Sequence, residues 1–424
     1  MPDATEPGSV QFAGAIIRAM AGRKLGWKGI LLLAWLGWTF DVMDASLFVF
    51  AKGRMLTEML GGEAQYKLLG PAIEGRIQTL FLIGWAIGGF GFGILADRWG
   101  RGRTLALTIG LYCLFTGLTG LAQTPEQVAF FRFLTALGIG GEWAAGAALV
   151  AESVPDRFRP RAAAILQTAA AFGPALGALA NLVLKDVSWR WLFAVGVLPA
   201  LVAFAFRFLA HDEGPRHTER APIERLFGPE LRRATIVAVV LGIVGVTGAG
   251  LLPFWLPNLV GSSSPGASKE LLAERTTWLT WALHVGTLAG VLLFPMLMSR
   301  FGRRGPFALF FALAPAVFAF ALLGQFTYER LLLTLPLVSF VTIGLSAGFG
   351  LYFPELFPAA LRATGAGLAY NAGRIVSAPV PAIVGEMARG GDVSGAILLA
   401  AGLYVVGLAA LAWAPETRGR ELAA

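Results

Sequence analysis

One loop motif occurs twice, and the interval between its copies constrains the fold. Residues 93–103 read Gly-Ile-Leu-Ala-Asp-Arg-Trp-Gly-Arg-Gly-Arg, and residues 295–304 read Pro-Met-Leu-Met-Ser-Arg-Phe-Gly-Arg-Arg. Arg98 and Arg300 stand 202 residues apart. Glu152, Pro155 and Arg159 recur as Glu355, Pro358 and Arg362 at an offset of 203, and Gly84 and Gly88 recur as Gly286 and Gly290 at 202. Each copy of the motif lies between long apolar segments. Independent motifs repeating at one interval in a 424-residue chain mean two similar halves. Internal repeats of membrane segments are a mark of carriers.

Hydrophobic residues make up 56% of the chain and charged residues 14%, against about 25% charged in an average soluble domain. Lipid is the solvent that accommodates such a surface. The 54 glycines suit close helix packing within a membrane. The single cysteine, Cys113, excludes an intrachain disulfide and a cysteine metal cluster. No cleavable signal peptide is expected at the N-terminus. No phosphate-cradling loop, metal-ligand cluster or catalytic triad stands out, so no enzyme activity, cofactor or metal is expected.

Taking about 20 apolar residues per crossing, the sequence predicts twelve spans. They lie near 29–51, 75–96, 104–122, 128–151, 160–184 and 189–209, then 234–258, 274–298, 306–324, 330–354, 361–387 and 393–413. This divides the chain into an N-terminal segment (1–28), a six-helix half (29–210), a linker (211–233), a second six-helix half (234–413) and a tail (414–424). The linker is rich in charge and Pro, as in Asp212-Glu213-Gly214-Pro215-Arg216. Of 34 Lys and Arg residues, 22 fall on the side of both termini, 10 on the other, and Arg132 and Arg374 fall inside spans. That asymmetry predicts a multi-pass protein of the cell membrane with both termini in the cytoplasm. The net charge of +8 is therefore an orientation signal and not a nucleic-acid footprint.

Charges at membrane depth mark candidate sites. Asp41 and Asp44, three residues apart, share a face of the first span. Two carboxylates in a low-dielectric site repel, so at least one is expected to bind a proton, without the sequence saying which. Glu142 in the fourth span is either a third protonation site or the partner of an arginine. Arg374 in the eleventh span presents a fork suited to a carboxylate. A pair between it and Asp41 or Asp44 in the empty state, displaced by an anionic substrate, would couple substrate to proton. Arg132 either snorkels to a membrane surface or pairs structurally. Trp38, Gln167, Tyr352, Asn371 and His284 complete the candidate substrate site, with Gln78, Trp85, Trp255 and Asn258 as further candidates, although a lone His in an apolar run is more often a packing residue and aromatics also form interfacial belts. In the loops, Asp97 with Arg98 and Arg101 reads as a gate latch, a carboxylate able to pair with Arg or cap a helix. Arg300 and Arg304 are its counterparts, weakened by Ser299 in place of the acid. Glu152, Arg159, Glu355 and Arg362 form the second repeated gate set.

The loop Gly93-x-Leu95-Ala96-Asp97-Arg98-x-Gly100-Arg101 resembles the best-known signature of the major facilitator superfamily. Arg132 to Gly140, Phe353-Pro354-Glu355-Leu356-Phe357-Pro358 followed by Arg362-Ala363-Thr364-Gly365, and Pro415-Glu416-Thr417-Arg418-Gly419 are similar to its later motifs, in order along nearly the whole chain. Asp41-Val42-Met43-Asp44 and Gly140-Gly141-Glu142-Trp143 resemble the sialate and aromatic-acid proton symporters, with Val42 where that pattern usually has Gly. The resemblance implies an all-α membrane protein of twelve transmembrane helices in two pseudo-symmetric halves. It implies alternating-access, proton-coupled uptake of a small organic anion by a monomer in a lipid bilayer. A sugar or polyol carrier and a non-transporting receptor of the same fold are the alternatives.

Overall fold

The computed structural model describes residues 26–99, 101–155, 158–197, 222–322, 327–358, 361–388 and 401–418. Within these ranges the side chains of Asp97, Arg98, Arg101, Glu152, Arg159 and Arg362 lie outside the description. So do residues 211–221 of the expected linker.

The first half contains α1 (Trp27–Met59), α2 (Glu63–Trp99), α3 (Arg101–Leu121), α4 (Pro125–Ser153), α5 (Arg159–Gln167), α6 (Ala169–Val183) and α7 (Arg190–Val195). A 3-10 turn at Ile223–Phe227 leads to the second half. That half contains α8 (Arg232–Ser263), α9 (Lys269–Phe301), α10 (Arg304–Leu322), α11 (Tyr328–Thr342), α12 (Ser346–Glu355), α13 (Arg362–Ser377), α14 (Val380–Ala388) and α15 (Leu403–Leu411). Side-chain caps fix several starts. The hydroxyls of Thr124, Ser268 and Thr327 accept from the backbone N–H groups of Gln127, Leu271 and Arg330 at 3.3 Å each. These bonds satisfy donors that have no partner within the helix.

Eight stretches of the described chain are long and apolar enough to cross a bilayer. The fourth expected span is α4, in which the side chains of residues 143–149 lie outside the description. The eleventh is divided between α13 and α14. The sixth and twelfth lie partly outside the described residues.

The first two helices are longer than their apolar runs. α1 continues eight residues past 51 and α2 begins twelve residues before 75. Polar groups there are satisfied inside the protein. Arg54, for example, donates to Asn181 Oδ1 at 3.0 Å and to the Lys185 carbonyl at 3.1 Å. Gly61 and Gly62, both at positive φ, make the turn between the two helices, a conformation that costs glycine little.

The repeated glycine pairs are packing positions. A Cβ on Gly88 would fall 2.0 Å from the Leu137 carbonyl of α4, and one on Gly286 would fall 1.9 Å from the Pro336 carbonyl of α11. Thus α2 seats on α4 as α9 seats on α11, the expected pseudo-symmetry. The same relation governs the seam between the halves. α2 packs along α13 and α14, and its counterpart α9 packs along α6. The core is continuous across this seam, with Met55, Trp255, Leu279 and Tyr352 in one buried cluster. One end of the bundle carries the loop motifs (residues 97–103 and 299–304) and is called the motif end below. The other, near residues 52–76 and 254–275, is the far end.

Candidate functional site

Asp41 and Asp44 are both fully buried on α1, one turn apart as their spacing predicts, but each has its own partner. Asp44 accepts from Arg132 of α4 at 3.1 Å, with both side chains out of solvent. The Arg132 guanidinium also lies over the Phe81 ring at 4.3 Å and the Phe48 ring at 5.3 Å. Its complete burial overturns the snorkelling reading and favours the pair. Asp41 lies against the Glu142 carboxyl of α4 and the Tyr112 hydroxyl of α3. None of these contacts is an aligned hydrogen bond. Both Asp41 oxygens, Glu142 Oε2 and the Tyr112 hydroxyl are left unpaired. Two carboxyl groups in contact away from water repel unless a proton lies between them, and that proton converts repulsion into an O–H···O bond. Three carboxyls and one guanidinium from α1 and α4 thus form one cluster inside the first half. Gly173 of α6 lets a neighbour close over it, since a Cβ there would meet the Thr39 carbonyl of α1 at 2.5 Å.

Arg374 of α13 is also buried. Its Nη1 donates to Asn371 Oδ1 at 2.9 Å. Its guanidinium lies 4.2 Å from the Trp85 ring of α2 and 4.4 Å from the Tyr370 ring. Among the described residues no carboxylate is within ion-pair distance of it. The expected pair with Asp41 or Asp44 is not formed, because both carboxyls are engaged inside the first half. Beside Arg374, Trp85 Nε1 is buried and has no acceptor. Gly89 of α2 presses on Asn371, whose amide nitrogen would stand 2.7 Å from a Cβ there. Arg374 therefore sits on the seam, with Trp85 and Gly89 from one half and Asn371 and Tyr370 from the other. Gln167 makes a second seam contact, donating to Ser346 Oγ at 3.2 Å. Trp38 is buried in a cluster with Phe81 and Leu166.

Two candidates have their polar atoms committed elsewhere. The Tyr352 hydroxyl donates to the Pro415 carbonyl at 2.5 Å, so it ties α12 to the tail at the motif end instead of facing a substrate. His284 Nδ1 is 2.7 Å from the Thr280 carbonyl of its own helix, the arrangement of a packing histidine.

At the motif end of the second half, the arginine that pairs is Arg303, not the expected Arg300 or Arg304. Its Nε and Nη2 hold Glu355 bidentately at 2.8 and 2.6 Å. The Thr417 hydroxyl donates to the same carboxylate at 2.5 Å. The reason is Gly302, whose φ of +81° ends α9 and redirects the chain. The Arg300 carbonyl accepts from Arg418 at 2.7 Å, and Arg304 reaches only the Ala412 carbonyl at 3.4 Å. Glu416 accepts from the backbone N–H groups of Arg303 at 2.9 Å and Arg304 at 3.2 Å, at the start of α10. Partial burial works against its charge, but these N–H groups and those of Arg418 and Thr417 outweigh it and hold the carboxyl below its ordinary range. The Ser299 hydroxyl donates to the Met296 carbonyl of its own helix at 2.7 Å. Glu152, Arg159, Arg362 and the Asp97 set have side chains outside the described residues.

A second buried ion pair escaped the sequence reading. Lys52 of α1 and Glu74 of α2 meet at 2.9 Å with 2% and 0% of their side chains exposed. Both fell just outside the apolar runs, so they read as loop residues.

The chain matches the family described as Major Facilitator Superfamily over residues 34–381. It is 33% identical over 399 residues to a probable 4-methylmuconolactone transporter of Cupriavidus pinatubonensis, covering 90% of this chain and 89% of that one. It is 27% identical over 404 residues to the cis,cis-muconate transport protein of Acinetobacter baylyi, covering 90% and 93%. Its fold is similar to that of the xylose transporter from E. coli in a partially occluded inward-open conformation. That likeness has a TM-score of 0.72 and 18% identity over 93% of this chain and 99% of the other. Apolar membrane-crossing helices, glycine-seated halves and ionisable groups at membrane depth define a multi-pass membrane transporter. The chain belongs to the Major Facilitator Superfamily.

Proposed function

We propose that the chain moves a small organic anion, a carboxylate, together with protons, by alternating access. The carrying observation is Arg374, a buried guanidinium at the seam with no acid partner among the described residues. An uncompensated charge at membrane depth is costly, and an anionic ligand supplies the missing partner. The unpaired Trp85 Nε1 beside it offers a further donor, and Asn371 fixes the fork. The Trp85 and Tyr370 rings suit a flat ligand. The names of the relatives, a methylmuconolactone and a muconate carrier, agree with organic-acid chemistry.

Protons enter through the Asp41–Glu142 contact, which is favourable only when a proton is shared. A change at the seam that moves α1 against α4 separates the two carboxyls and alters their hold on it. Coupling then needs no direct bond between Arg374 and an aspartate. The motif end faces the cytoplasm in this reading, following the Lys and Arg asymmetry. The Asp97 set and the Arg303–Glu355–Thr417 set close it. Division at residues 211–233 and action as a monomer complete the proposal.

The test is flux into proteoliposomes. Uptake of a muconate-like carboxylate should collapse with a protonophore, and Arg374→Ala should lower carboxylate affinity by at least about thirtyfold. Uptake of neutral sugars in preference to carboxylates would overturn the anion reading, and binding without any flux would make the protein a receptor.

A further inference from the structure

At the far end, Lys52 is held by acceptors from both halves. Its ammonium bonds Glu74 Oε2 at 2.9 Å within the first half. Its other two acceptors, the Phe254 carbonyl and Asn258 Oδ1, both at 3.0 Å, belong to α8 of the second half. An ammonium has three donors, so this shell is complete, and two-thirds of it crosses the seam. The Phe254 and Trp255 rings of α8 lie 4.0 and 4.7 Å from the same nitrogen. Glu74 accepts from the Tyr66 hydroxyl at 2.6 Å and contacts Asn258 Nδ2 at 3.5 Å.

The surroundings are closed as well. A Cβ on Gly75 would fall 2.5 Å from the Pro381 carbonyl, and one on Gly385 would fall 2.5 Å from the Pro71 carbonyl. Two exposed ion pairs, Lys269–Glu63 at 3.1 Å and Arg76–Glu386 at 3.3 Å, join the halves at the rim.

We infer that Lys52, Glu74, Asn258 and the Phe254 carbonyl form a charge lock that holds the far end shut and sets how often that end opens. The inference rests on the alternating-access reading above. A pair confined to one half would stabilise every state equally. Lys52 is different, because separating α8 from α1 removes two of its three acceptors at once, together with both aromatic faces. The buried charge is then left with Glu74 alone and must take up water. The far end can open only with that exchange, so the strength of the two cross-seam bonds biases the conformational equilibrium. In the open state Lys52 becomes a cation at the mouth of the far end.

The lock is tested by the distance between spin labels at the rim, placed by Gln65→Cys and Glu270→Cys in a Cys113→Ser background. Asn258→Leu removes a cross-seam acceptor and leaves the Lys52–Glu74 pair intact. It should increase the far-end-open population by about tenfold, the weight of one hydrogen bond to a charged group. Tyr66→Phe, which removes a bond within the first half, should leave the distribution unchanged. Asn258→Ala should act as Asn258→Leu does and serves if the leucine variant does not fold. A wild-type distribution in both Asn258 variants would overturn the lock, as would an equal shift from Tyr66→Phe. The reading beneath it fails separately, if wild-type protein shows no far-end opening at any pH or carboxylate concentration.

Discussion

The two halves share a scaffold and differ in chemistry. Glycines at equivalent positions seat α2 on α4 and α9 on α11, and the seam is built from equivalent helices on both sides. The first half concentrates Asp41, Asp44, Arg132 and Glu142 into a cluster whose members satisfy or oppose one another. The second half presents Arg374 with an amide and two rings and, among the described residues, no acid partner. A duplicated scaffold can therefore hold two different kinds of charge, one clustered within its half and one that, in the proposed function, takes a ligand. At the seam Trp85 of the first half covers Arg374 of the second.

The contrast is sharpest in stability. Arg132→Met strands Asp44 in the interior and should cost about 3–5 kcal/mol, read as a large drop in the unfolding temperature in detergent. Adding Asp44→Asn should recover most of it. Arg374→Met, by contrast, should leave stability near wild type while abolishing carboxylate binding. Similar losses from both arginine variants would erase the distinction between the halves.

The shared scaffold is tested by damage in equivalent places. Gly88→Val and Gly290→Val should each overpack a helix contact by about 1–3 kcal/mol, lowering the yield of monodisperse protein alike. A tolerant second-half site would mean that the repeat is looser than its glycines suggest. At the motif end, Asp97→Asn should slow transport more than Ser299→Ala, because the Ser299 hydroxyl bonds only within its own helix. Equal small effects on initial uptake rates would remove that asymmetry.

The smallest expected effect is in pH. The folded state holds the Glu416 carboxyl below its ordinary value of 4.5. The sign follows: its contribution is fully present above 4.5 and is lost as pH falls through the lower folded value. Protease accessibility of the tail should rise there, and Glu416→Gln should show the rise already at neutral pH.

The scaffold was legible because periodic glycines and repeated loops are local signals. The acidic face of α1 was legible for the same reason. Its pairings were not, since nothing along the chain says that Asp44 meets Arg132, 88 residues away, while Asp41 meets Glu142. Arg303 was passed over because three arginines crowd the motif and only the left-handed turn at Gly302 selects among them. Lys52 was missed because hydropathy ends the first span at 51, whereas the helix runs on to Met59 with its polar groups paired inward. Trp85 stands among the aromatic candidates of the sequence, whereas Tyr370, an aromatic residue in an apolar run, is indistinguishable by sequence from ordinary packing.

The stitching of residues 415–418 to α9, α10 and α12 has a consequence for biosynthesis. Glu416 and Thr417 complete the contacts of Arg303, Arg304 and Glu355, yet they follow α9, α10 and α12 in order of synthesis. The motif end of the second half therefore completes these contacts only after residues 416 and 417 have been made. Until then the start of α10 and the Glu355 carboxylate lack those partners. A chain cut before residue 416 should keep α9, α10 and α12 and still lack this closure, read as faster proteolysis at the motif end.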